Sequence, residues 1–253
     1  MAVKDNNTQT PHLELRAAFE EVLQHYQPSE HARGIINDAQ FVVLTGPSGA
    51  GRNTLIRELA KTDRYHFVVS TTTRPKRVNN GVYEQDGREY WFRTEQEVLD
   101  DLRAGEFLEA EIVHGQQVSG ISIAELERAS LERRIAITDV DIEGITNVMQ
   151  AKPDAIPILV FPPSFEAWRQ RLNGRGEMDI EQLKRRLVTA ARIYELPEKD
   201  EQYRIVINDT IEHATHQIRA ITEEGAFDPI PRDEARAIAR QLREDTLRRL
   251  AEL

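Results

Sequence analysis

The chain has 253 residues, a formal net charge of −10 and no cysteine. Disulfides and thiolate metal sites are therefore excluded, and a reducing cytoplasm is the simplest location. The acidic balance argues against nucleic acid as a partner, because the summed field repels a polyphosphate backbone. A membrane is excluded as a partner too: no apolar run approaches the roughly 20 residues that span a bilayer, and the N-terminal stretch lacks the apolar core of a signal peptide. An anionic small molecule remains a suitable ligand where arginines are concentrated locally.

In chain order, residues 11–27 carry Leu15, Phe19, Val22 and Tyr26 at three- and four-residue steps. That spacing predicts a helix, ended by Pro28. The stretch "EHARGIIND" leads into a first strand at about 40–45, and a second helix is expected to start just after Gly51 and run through Leu55 to Leu59. "YHFVVS" predicts a second strand, and "TTTRPKRVNNGVYEQDGREYWF" is polar and turn-rich. "TEQEVLDDLRAGEF" predicts a helix N-capped by Thr94, reinforced by Glu97 and stopped near Gly105. "RIAITDVD", "AIPILVF" and "RIVIND" are short β-branched runs, each followed by a helical pattern, the last over 211–223. Strands alternating with helices predict an α/β fold with a mostly parallel sheet covered on both faces. The charged tail carries Ile238, Leu242, Leu247 and Leu250 roughly along one helical face.

"GPSGAGRNTL" follows the apolar run "FVVLT". Gly46, Pro47, Ser48, Gly49, Ala50 and Gly51 form a glycine-rich turn between a buried strand and a helix. Such a turn lets several backbone N–H groups converge on one phosphate, with the helix N-terminus adding partial positive charge. Two positions depart from the usual pattern of this loop. Arg52 stands where lysine is called for, and Asn53 where a serine or threonine hydroxyl would ligate Mg²⁺. The Asn53 amide carbonyl, the neighbouring Thr54 or a water molecule are the alternatives for holding the ion.

With the later segments in view, residues 40–222 resemble a guanylate kinase. The glycine loop is similar to the family's ATP-phosphate loop, "VSTTTRPKR" to its GMP-phosphate segment, and "GREYWF" to its G-x-x-Y-x-F. "GEFLEAEIVHG" resembles the start of the small GMP-binding region, "ITDVDIEG" the family's L-D-I-D-x-x-G, and "FPPSFEAWRQRLNGRG" its lid segment; "LKRRL" and "VIND" complete the set. The resemblance implies a P-loop NTPase-type parallel sheet flanked by helices. A GMP-binding subdomain at about 70–122 and a lid at about 164–192 are implied with it. Residues 1–39 and 223–253 are then helical extensions, candidates for self-association or for a protein partner.

The same resemblance implies an ATP-dependent kinase that converts GMP to GDP, with Mg²⁺ as cofactor. Arg74, Arg77 and Tyr90 would hold the GMP phosphate, as guanidinium forks and a phenol suit a phosphate's oxygens. Ser70, Glu109 and Asp139 would read the guanine edge. Arg171, Arg175 and Arg186, with Arg52, would serve the transferring phosphoryl group. Asn208 would lie near the adenine of ATP, and Asp141 would steady Mg²⁺ through water. Two departures accompany this match: the interval from Arg77 to Tyr90 is about four residues longer than usual, and Val118 and Ser119 stand where the family carries a tyrosine on the GMP phosphate. The runner-up reading is a catalytically weak guanylate-kinase-like module that binds a phosphorylated or acidic partner, favoured by Arg52 and Asn53. A third is a kinase for another small phosphorylated acceptor.

Overall fold

The computed structural model describes residues 13–79, 81–174, 178–226 and 228–253. Two compact units divide them, one holding the described residues up to 39 together with those of 68–131, the other the described residues of 40–67 and 132–253.

The second unit is built on a five-stranded, wholly parallel sheet. Its strands are β1 (Phe41–Thr45), β2 (Tyr65–Phe67), β9 (Ile135–Asp139), β10 (Ile156–Phe161) and β11 (Arg204–Ile207), in the spatial order β11-β10-β1-β9-β2. Burial on both faces follows from side chains alternating along each strand. Ile158 and Val160 of β10 meet Leu55, Ile56 and Leu59 of α3 (Arg52–Leu59) and Ala214, Ile218 and Ile221 of α9 (Ile211–Glu223) in one core. Leu159 and Phe161 point the other way, into a core with Trp168 and Leu172 of α7 (Phe165–Asn173) and Tyr194 of α8 (Ile180–Lys199). α6 (Ile142–Ala151) follows β9. This is the expected parallel sheet with helices on both faces.

The tail forms α10 (Arg232–Ala251), which packs on α8. Its buried line is Ala235, Ala239, Leu242 and Thr246, whereas Leu247 is 40% exposed. Small residues on that line let the two helices approach closely, and the Thr246 hydroxyl is satisfied by donating to the Leu242 carbonyl (2.6 Å).

The first unit holds a smaller mixed sheet in the order β6-β3-β8-β7, from β3 (Thr71–Thr72), β6 (Trp91–Phe92), β7 (Phe107–Val113) and β8 (Gln117–Ser122). β7 and β8 pair antiparallel, an addition to the expected parallel sheet that the alternation in "FLEAEIV" encodes. The capping box at Thr94 is formed: Glu97 N donates to its hydroxyl and Thr94 N donates to the Glu97 carboxylate, opening α4 (Glu95–Arg103). "EHARGIIND" is itself a helix, α2 (Glu30–Asp38), with Ser29 as N-cap accepting from Ala32 N (3.0 Å).

The N-terminal segment is part of this unit's core. Leu13 and Phe19 of the stretch leading into and forming α1 (Arg16–Gln24) are buried with Val98, Leu99, Leu102, Phe107 and Val118. The Tyr26 hydroxyl accepts from Phe107 N (2.7 Å) and donates to Phe107 O (2.6 Å), occupying both hydrogen-bonding groups of a residue on the edge strand β7. Among the described residues no helix is long and apolar enough to cross a membrane.

Candidate active site

β1 is buried at all five positions in the middle of the parallel sheet, and its C-terminal end delivers the chain into the loop 46–51. Gly49 and Gly51 hold φ of +90° and +97°, the left-handed region that side chains disfavour. A Cβ at Gly51 would stand 2.4 Å from Asn208 Nδ2, so the position excludes a side chain on two counts. Within the loop Ala50 N turns back to Pro47 O (2.9 Å), and Thr54 N and Leu55 N begin the helix on Gly51 O. The N–H groups of Gly49, Gly51, Arg52 and Asn53 meet no acceptor among the described residues. Four unsatisfied donors at one helix N-terminus form a cradle for an anion.

Arg52 Nη1 donates to the Val140 carbonyl (2.5 Å) and lies 3.5 Å from Asp139 Oδ2. With the Asn53 amide oriented nitrogen-first, its Nδ2 donates to both Asp139 oxygens at 3.0 Å. β9 pairs beside β1 with Asp139 opposite Leu44, which places the carboxylate next to the loop. Burial pushes the Asp139 carboxyl above the usual carboxylate range, and the nearby Arg52 charge opposes that. The two departures in the loop are therefore joined by one partner, Asp139. The resemblance has Asp139 reading guanine and Asp141 steadying the metal through water; in the structure Asp139 stands at the loop and Asp141 caps α6, accepting from Gly144 N (2.8 Å).

The expected adenine contact, Asn208, is buried beneath the loop. Its Nδ2 donates to Ala50 O (2.7 Å), and its backbone N donates to Phe161 O. Arg171 Nη2 donates to the Asn208 carbonyl (2.8 Å). Arg186 is half-buried on α8, and its Nη1 is a buried donor with no hydrogen-bond partner. Arg175 lies outside the described residues. Trp168, which the sequence reading passes over, donates from Nε1 to Ser48 O (2.8 Å).

In the first unit, the Arg74 guanidinium is paired with Glu84 and lies over the Tyr90 ring, 4.8 Å from its centroid. Glu84 also accepts from Arg77 N (2.8 Å), and Glu84 N donates to Arg77 O (2.9 Å). Between those bonds the chain loops out as a hairpin of β4 (Val78–Asn79) and β5 (Val82–Tyr83). The extra residues are absorbed there, and Tyr90 returns to Arg74. The Arg77 side chain is exposed, with no hydrogen-bond or ion-pair partner among the described residues.

Ser70 sits before β3, its carbonyl accepting from Trp91 N (2.9 Å), and Glu109 lies on β7 beside a register shift. Ser119 donates to the Thr72 hydroxyl (2.9 Å) and Gln117 Nε2 donates to Ser119 (3.3 Å), while Val118 is fully buried core. Sequence reasoning missed Glu84 and Trp168; a carboxylate ten residues after Arg74 and an indole in the helix after β10 were the available signals.

A parallel sheet whose central strand ends in a glycine-rich turn with unsatisfied N–H groups defines an α/β protein of the nucleotide-binding class. The guanylate kinase family model matches residues 38–225, and the chain belongs to that family. It is 36% identical over 184 residues to the guanylate kinase of Corynebacterium efficiens, covering 72% of this chain and 94% of that one. The Symbiobacterium thermophilum guanylate kinase is 38% identical over 182 residues, 72% of this chain and 83% of the relative. The crystal structure of guanylate kinase from Anaplasma phagocytophilum is similar over 85% of this chain and 94% of its own, with a TM-score of 0.50 and 26% identity.

Proposed function

We propose that the chain catalyses ATP-dependent phosphorylation of GMP to GDP. The observation that carries this reading is the loop 46–51 with its four unsatisfied N–H donors, in a chain of the guanylate kinase family. The second unit binds the phosphates of ATP in that loop. Arg52 adds charge beside it, and the partnerless Arg186 Nη1 is a donor suited to an anion that the protein itself does not supply. Arg171, anchored at the Asn208 carbonyl, and Arg175 complete the guanidinium set for the moving phosphoryl group. Phosphoryl transfer asks mainly for alignment and charge neutralisation, so these donors suffice without a general base.

The residues present fit a magnesium ion carried on the nucleotide. No group of three His, Asp or Glu side chains able to hold a metal occurs among the described residues. Mg²⁺ commonly keeps water and substrate phosphates as ligands. Asp139 is the carboxylate placed at the loop, beside Arg52 and Asn53, so it would take the metal-facing role. Bound there, the ion would neutralise charge on the phosphate oxygens.

The first unit binds GMP. Arg77 and Tyr90 hold the phosphate, with Arg74 fixed by Glu84 beneath them, and Ser70 and Glu109 read the base. A carboxylate at Glu109 accepts from guanine N1–H and the exocyclic amine, and adenine offers no N1 donor. A coupled assay for ADP release with GMP, dGMP, AMP and UMP tests the assignment. Turnover is expected with GMP. Turnover confined to AMP or UMP, or ATP consumption independent of any acceptor, would refute it.

A further inference from the structure

Both carbonyls that flank the two left-handed glycines are held by side chains from outside the loop. Trp168 Nε1 on α7 takes Ser48 O at 2.8 Å, and Asn208 Nδ2 at the end of β11 takes Ala50 O at 2.7 Å. Both donors are buried, Trp168 completely. A peptide group is a rigid plane with its C=O and N–H pointing in opposite directions. Fixing the Ser48 carbonyl therefore fixes the direction of the Gly49 N–H, and fixing the Ala50 carbonyl fixes that of the Gly51 N–H. These are two of the N–H groups left without an acceptor.

The contacts are close enough to transmit that constraint. A Cβ on Gly49 would meet Leu172 Cδ2 at 3.2 Å and Trp168 Nε1 at 3.5 Å, so α7 closes directly onto the loop. The indole is itself held by edge contacts to Phe165 (5.7 Å between centroids) and Tyr194 (6.1 Å). Asn208 is fixed through its backbone by Phe161 O and Arg171. Neither donor can swing with the loop.

We propose that Trp168 and Asn208 are positioning residues for the phosphates of ATP, acting by aiming the Gly49 and Gly51 N–H groups. This deepens the reading of the loop as an ATP site and rests on it. Trp168→Phe keeps the ring in its apolar setting and removes only the N–H. Calorimetry with three probes isolates the effect: inorganic tripolyphosphate, ATP and GMP. Losing one net hydrogen bond's worth of organisation should weaken ATP and tripolyphosphate about 3- to 10-fold. GMP affinity should hold within twofold, a pattern that general loosening would not give.

Equal affinity of the Trp168→Phe and unaltered chains for both phosphate probes removes this proposal and leaves the ATP reading standing. An unaltered chain that binds neither probe removes both. Should Trp168→Phe fail to fold, a second measurement decides. The chain has two tryptophans, so Trp91→Phe leaves Trp168 as the sole indole. Its emission should shift on saturation with tripolyphosphate and not with GMP; an emission unmoved by tripolyphosphate at binding saturation overturns the proposal.

Discussion

Arg74 and Glu84 meet in two parallel hydrogen bonds, Nη1 to Oε2 at 2.6 Å and Nη2 to Oε1 at 2.9 Å, with both side chains 7% exposed. The same carboxylate accepts from Arg77 N, so one acid orders both arginines of the GMP-phosphate segment. Removing one partner of a buried pair strands the other charge, at a cost of about 3–5 kcal/mol. Glu84→Ala is therefore expected to lower unfolding free energy by that order in urea denaturation, and to raise KM for GMP while leaving ATP affinity unchanged.

That pair has a pH signature. Hydrogen bonding from Arg74 first, and then from Arg77 N, holds the Glu84 carboxyl down at about 2 from its ordinary 4.5. A group depressed on folding stabilises fully above its unfolded value and loses that contribution as pH falls through its folded one. Stability should thus decline between pH 4.5 and 2. Urea titrations across that window should show a shallower decline in Glu84→Gln, whose amide does not titrate.

The loop departures are mutually supporting, because Arg52 and Asn53 both engage Asp139. One guanidinium nitrogen, Arg52 Nη1, serves both Val140 O and Asp139, and a lysine ammonium on its differently shaped stem is aimed elsewhere. Restoring the commoner pair, Arg52→Lys with Asn53→Ser, is expected to give no gain in kcat. Arg52→Ala should reduce kcat by about 10²–10³, the usual cost of deleting one donor to developing charge. Steady-state kinetics at saturating GMP reads both; a large gain in the double variant would mark the natural loop as impaired.

How far the sequence reveals this site depends on whether the signal is local. The loop 46–51, the Thr94 capping box and the strands ending at Thr45, Asp139 and Phe161 are written in spacing and β-branched runs. The terminal helices show apolar stripes too, but not what covers them. Phe19 packs beside Phe107, 88 positions away, and Leu242 beside α8. Asp139 and Asp141 look alike as two acids two positions apart; only the register of β9 against β1 separates a loop-facing carboxylate from a helix cap. Asn208 likewise falls in the right motif, yet its burial under Gly51 is a tertiary fact.

The N-terminal helices contribute through Tyr26. Burial pushes its hydroxyl up to about 12 from an ordinary 10, with the Phe107 N–H donating to the phenolic oxygen opposing that rise. A raised value means the folded chain holds the proton more tightly, so the stability that Tyr26 contributes should be constant below pH 10 and fall between pH 10 and 12. Tyr26→Phe leaves the Phe107 N–H and C=O without their partner and is expected to cost about 1–3 kcal/mol at pH 7. It should also flatten the alkaline decline, measured by urea denaturation at pH 8, 10 and 11.

The β4–β5 hairpin explains why Tyr90 reaches Arg74 despite the longer interval. Val78, Val82 and Tyr83 are 51%, 60% and 69% exposed, so its apolar side chains add little burial. Deleting residues 79–82 joins Val78 to Tyr83 and makes the Glu84 N to Arg77 O bond (2.9 Å) the closing bond of a four-residue turn. The turn geometry is common and the shortened loop loses little closure entropy. KM for GMP is expected to stay within about twofold and the melting temperature within about 2 °C, since ~1 kcal/mol moves a domain of this size by 2–4 °C. A tenfold rise in KM at unchanged melting temperature would show that the hairpin itself takes part in holding the acceptor.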